Sequence, residues 1–117
     1  MGDLIINPTQ AVLDVLAERR RQVESEGYSE QHDDEHVLGE LGLAAALYAI
    51  PYEAEIAEEK LLSQEDFIGL DIALTIACGW DLKPEPDVRQ RKVKGAAMLL
   101  AEIERIDHAA AREASNV

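Results

Sequence analysis

His32-Asp33-Asp34-Glu35-His36-Val37-Leu38-Gly39-Glu40 runs directly into Leu41-Gly42-Leu43-Ala44-Ala45-Ala46-Leu47-Tyr48. Val37, Leu41, Ala44, Ala45 and Tyr48 recur at three- and four-residue steps, the period of a helix with one buried face. Asp33 or Asp34 is suited to cap such a helix, and the acids of its first turn suit the helix dipole. Pro51 ends it, because the residue before a proline is pushed out of helical geometry. The stretch therefore predicts an all-α scaffold carrying acid and imidazole groups at its leading end.

The flanks extend the same pattern. Residues 4–6 form a short apolar run read as an N-terminal arm over 1–7, and Asn7-Pro8 reads as N-cap and first helical residue. Val12, Val15 or Leu16, Arg19 and Val23 then repeat at helical spacing to about Glu26, where Gly27 stops the helix. Arg19, Arg20 and Arg21 are expected on its solvated side or at an interface. Residues 52–62 suggest a short acidic helix with Ile56 and the leucines inward, or a mobile acidic link if they are not. Ser63 with Asp66 resembles a capping box opening a helix over 65–78, which Asp71 interrupts among apolar neighbours. Gly79 supplies a left-handed stop, and Trp80 to Pro86 is a loop stiffened by two prolines.

Asp87 should cap the last helix, running from Val88 past Asp107 with a buried seam of Val93, Ala96, Leu99 or Leu100, Ile103 and Ile106. Its tail, 109–117, is expected to fray. The expectation is an all-α fold: a single domain over 1–117, a compact bundle of about four to five helices completed by oligomerisation.

Composition limits function. The 117 residues are 47% hydrophobic but only 4% aromatic, which favours closely packed helices rich in alanine and leucine. A net charge of −13 repels a nucleic-acid backbone, so no duplex nucleic acid is expected as partner; a divalent cation or a basic protein groove suits such a surface better. Cys78 alone makes no internal disulfide and reads as a small buried hydrophobe. With neither a signal-like start nor a span of about twenty apolar residues, a cytoplasmic protein without a membrane partner is expected.

Two groups of side chains could carry chemistry. On a continuous helix Asp33, His36 and Glu40 share one face and could present oxygen and nitrogen ligands; His32 lies just outside. The bland alternative is a solvated first turn. On the last helix Glu104 and Asp107 are three residues apart beside His108, a spacing more often solvated and weakly paired. Glu102, among Leu99, Ala101 and Ile103, is expected at the core's edge facing the opening stretch, and Lys94 before Gly95-Ala96 could reach a phosphate.

The segment Ala17-Glu18-Arg19-Arg20-Arg21-Gln22, then Glu26-Gly27-Tyr28, His32-Asp33, His36, Gly39-Glu40 and Ala44, resembles the start of small all-α proteins common in phages and prophages. Trp80, Lys83-Pro84, Arg91 to Ala97 and Ala101 to Asp107 are similar to their second half, with 53–75 as an insertion. Those proteins are in turn similar to the MazG-like nucleoside triphosphate pyrophosphohydrolases, which hold magnesium on paired carboxylate motifs. The resemblance implies Glu104-x-x-Asp107 as one such motif and magnesium or manganese as cofactor. In the other motif His36 stands where a second carboxylate would be, and imidazole is a poor magnesium ligand.

The leading expectation is an oligomeric phage or prophage accessory protein that binds a nucleotide or nucleotide-like phosphate compound, with metal-dependent pyrophosphohydrolysis the lesser expectation and no catalytic residue assigned. Its site would comprise Asp33, His36 and Glu40, Lys94 and Glu102 from the last helix, and Arg19 or Arg21 on phosphate; His36, Glu40, Glu104 and Asp107 are the metal candidates. The alternative is a non-enzymatic acidic protein docking on a basic host defence or replication factor, with Glu53, Glu55, Glu58 and Glu59 in its docking surface. A purely structural bundle is the third.

Overall fold

The computed structural model of the chain describes residues 7–35, 39–50, 64–80 and 82–115, and for residues 30 and 64–68 the backbone alone. Among the described residues the regular structure is entirely helical: α1 (Gln10–Ser25), α2 (Glu30–Asp34), α3 (Glu40–Ala49), α4 (Gln64–Cys78) and α5 (Val88–Ser115). The all-α bundle expected from the sequence is what forms. Among the same residues no helix is long and apolar enough to cross a membrane.

Caps decide where these helices begin. Thr9, not Asn7, caps α1: its side chain accepts from the Val12 amide at 3.3 Å, so Pro8 lies outside the helix. A hydroxyl that reaches an otherwise orphaned amide displaces the asparagine two residues earlier. Asp87 caps α5 as expected, its Oδ1 accepting from the Gln90 amide at 2.7 Å. Gly79 ends α4 at φ +62°, and Cys78 is buried there, its Sγ 3.8 Å from the Glu40 carbonyl.

The stretch from His32 to Tyr48 is not one helix. Ser29 caps the five-residue α2, accepting from the His32 amide at 3.2 Å, and α2 ends at Asp34. α3 starts six residues later, after Gly39 at φ +89°. A left-handed glycine turns the chain between the two, so Asp33 and Glu40 do not lie on one continuous helical face. His36 and Val37 lie outside the described residues, as do the arm over 1–6 and the helix expected at 52–62.

α5 is the hub, packing against α1, α2 and α3, while α4 packs on α3. Its expected seam is only partly right. Val93 is buried, but its fellows there are Arg91, Gly95, Ala97, Met98 and Ala101, whereas Ala96, Leu99, Ile103 and Ile106 are exposed. Close approach explains the choice: a Cβ at Gly95 would lie 2.9 Å from the Ala45 carbonyl oxygen and 3.2 Å from the Tyr48 Cβ. Small residues let α3 and α5 meet at short range, and Leu41, Ala44 and Met98 fill the core between them. α5 continues to Ser115, and Arg112 reaches Asp34 of α2 at 3.0 Å.

Candidate functional site

Two polar clusters flank this core. The first joins α1 to α2. Asp33, nearly sealed from solvent, accepts from Arg19 Nη2 at 2.7 Å and lies 3.0 Å from His32 Nδ1. Arg19 also donates to the Tyr28 carbonyl at 3.2 Å and to Glu104 at 3.3 Å. Its place beneath the α1–α2 turn, in contact with α5, is at an interface, the second of the two positions expected for Arg19. Three acceptors satisfy one guanidinium in a geometry that fixes the turn, so Arg19 and Asp33 hold structure rather than face an open space.

The second cluster gathers where α1, α3, the 82–87 loop and α5 meet. Arg21 bonds Glu18 at 2.8 Å and Glu26 at 2.9 Å; these acceptors keep its guanidinium charged more firmly than usual. Glu26 also takes Lys83 at 2.9 Å, and hydrogen bonds from Arg21 and then Lys83 hold its carboxyl below the ordinary glutamate value. Lys94 reaches Glu85 at 3.1 Å; the Asp87 amide first, and Lys94 second, lower the Glu85 carboxyl in the same direction. Gln22 is buried beside them, donating to Glu18 at 3.2 Å, and its Oε1 meets no donor among the described residues.

Tyr48 joins this cluster to a cleft of about 250 Å³. Its hydroxyl donates to the Lys83 carbonyl at 2.8 Å, and burial pushes its pKa up to about 12, so it remains a hydrogen-bond donor at neutral pH. Tyr48 and Trp80 give the cleft aromatic walls, and Lys83, Glu85, Asp71 and Arg91 give it charged groups of both signs. Trp80 is steadied from behind by Tyr28 and His32, whose rings stack on each other at 4.8 Å and lie 5.0 and 5.2 Å from the indole. Arg91 is buried and donates to the Ile50 carbonyl at 3.4 Å. The arrangement offers a planar ring two aromatic side chains and offers an anion ammonium groups that can exchange one oxyanion for another.

The expected site residues therefore divide. Arg21 and Lys94 come together in the second cluster, and Arg19 and Asp33 in the first. Glu40 opens α3 beside Cys78, Glu102 pairs with Arg105 on its own helix, Glu104 is bound to Arg19, and Asp107 is exposed farther along α5. His36 lies outside the described residues. Among the described residues no three His, Cys, Asp or Glu side chains converge as a metal cluster. Sequence reasoning missed Glu18, Glu26, Lys83 and Glu85, and placed Tyr48 only in the core. The signal available was Trp80, the single tryptophan, held with Lys83 in a proline-stiffened loop.

No family model, curated protein or solved structure matches the chain.

Proposed function

We propose that this chain is a phage or prophage accessory protein that binds a nucleotide or nucleotide-like phosphate compound, with the cleft beside Tyr48 and Trp80 as its seat. The observation that carries the reading is the junction of that cleft with the Glu26–Lys83 and Glu85–Lys94 ion pairs. The volume suits a base with its sugar, and the phosphates would replace Glu26 or Glu85 on the lysines. Such an exchange costs little for Lys83, whose side chain is 74% exposed, because a solvated ion pair contributes little to stability. The phage assignment rests on the sequence resemblance alone. Hydrolysis is not part of the proposal: Glu104 is engaged by Arg19, away from this cleft.

Thermal denaturation with nucleoside mono-, di- and triphosphates, with and without magnesium or manganese, tests the reading. A rise in Tm that Lys83→Ala and Trp80→Ala each abolish is expected, since a ligand bound only to the folded state stabilises it. No shift with any of them overturns it. In that case salt-dependent capture of a basic protein, weakened by neutralising Glu53, Glu55, Glu58 and Glu59 and indifferent to Lys83→Ala, would support the acidic interaction protein instead.

A further inference from the structure

Independently of any ligand, the outer face of α1 and α5 is apolar in a chain of net charge −13. Val12 and Leu16 on α1 are 47% and 55% exposed, and Leu99, Ile103 and Ile106 on α5 are 49%, 49% and 52% exposed. A groove of about 420 Å³ runs between the two helices without one charged residue in its lining. Beside it a trough of about 380 Å³ lies over small residues, among them Ala45, Ala49, Gly95 and Ala96, with Lys92 at its edge.

We infer that this face is the docking surface for a second copy of the chain, with the two α5 helices antiparallel about a two-fold axis. Along α5 the exposed positions Lys92, Ala96, Leu99, Ile103, Ile106 and Ala110 alternate four- and three-residue steps, the seam spacing of paired helices. Placing Leu99 against Ile103 of the second copy sets the register. Ala96 then faces Ile106 of the second copy, so the isoleucine ridge of each chain lies over the small-residue trough of the other.

Charge favours the same orientation. The exposed charges of α5 are Arg89 and Lys92 in its first two turns, Arg89 also meeting Asp14 of α1 at 2.8 Å, and Asp107 and Glu113 in its second half, besides Glu104 and Arg112, which pair with Arg19 and Asp34. Within one helix this order opposes the dipole, which prefers acids first and bases last. Antiparallel pairing reverses that: Arg89 comes opposite Glu113 of the second copy, and Lys92 comes within reach of its Asp107. A two-fold contact needs such self-complementarity, whereas an unrelated partner does not. The 28 residues of α5 make it ~42 Å long, so the seam can repeat over several turns of both copies.

Light scattering and sedimentation of the full chain over about 1–100 µM test this. The expected mass is twice 12.9 kDa. Ile103→Glu and Leu99→Glu, each with unchanged helical circular dichroism, should raise the dimer dissociation constant more than about a hundredfold, as loss of a central apolar anchor does. Glu113→Lys should weaken association, and Arg89→Glu with Glu113→Lys in the same chain should restore it. A monomer throughout the range, or a dimer indifferent to both apolar replacements, overturns the inference. Failure of the paired charge reversal to restore association overturns the antiparallel register.

Discussion

The Arg19–Asp33 cluster and the Arg21–Glu26–Lys83 cluster use the same side-chain chemistry but differ in how far their cations are exposed. Asp33 is 3% exposed and Arg19 15%, while Lys83 is 74% exposed and Arg21 40%. In the first cluster Asp33 has left water and its charge is met by Arg19 and His32, while Arg19 is held in addition by the Tyr28 carbonyl and Glu104. In the second, water already competes for the lysine, and a phosphate could do the same at small cost. Burial rather than residue type thus separates a pair that holds α1 to α2 from one that could exchange partners.

Replacing Asp33 should break that comparison most visibly. Asp33→Ala leaves Arg19 half-enclosed without its main anion, and urea denaturation should show a loss of about 3–5 kcal/mol. Gly95→Val comes next: the α3 backbone 2.9 Å from its new Cβ cannot withdraw without opening the core, so about 1–3 kcal/mol should be lost despite glycine's poor helix propensity. Lys83→Ala should change stability by no more than about 0.5 kcal/mol in the same assay while removing nucleotide-dependent stabilisation. A large loss on Lys83→Ala would erase the distinction between the clusters.

The smallest effect concerns pH. Glu26 is held below its ordinary value of 4.5 by Arg21 and Lys83. A carboxyl lowered in the folded state contributes stability that is complete above that ordinary value and is lost as pH falls through the folded one. Thermal denaturation from pH 6 downwards (about three units) should therefore show an acid limb that Arg21→Met makes shallower. An unchanged limb in that variant would place the acid sensitivity elsewhere.

Much of the architecture could be read from local signals. The Asp87 cap, the Gly27 and Gly79 stops and the buried Cys78 follow from steric and hydrogen-bonding preferences that act within a few residues. The break between α2 and α3 was less legible, because helical spacing persists across Gly39 even though the chain turns there. Ser29 was the neglected cue: a hydroxyl three residues before His32 can cap a short helix of its own. The candidate site was harder still. Glu18 and Glu26 flank Arg21 at local spacing, but nothing in the sequence marks Lys83 as the partner of Glu26 or Glu85 as the partner of Lys94, because each pair joins distant segments.

The face of α5 gives the sharpest case. Leu99, Ile103 and Ile106 form the more hydrophobic stripe, and a periodicity argument sends the larger apolar residues inward. The helix instead buries Gly95, Ala97 and Ala101 against α3, since close packing rewards the short distance that small side chains permit. By itself the sequence determined that this chain forms helices, where most of them stop, and that its surface is strongly acidic, because those properties follow from local sterics and summed charge. Only the tertiary structure decided which side of α5 is the core and which carboxylates meet which cations, because both depend on how closely segments distant in the chain can approach.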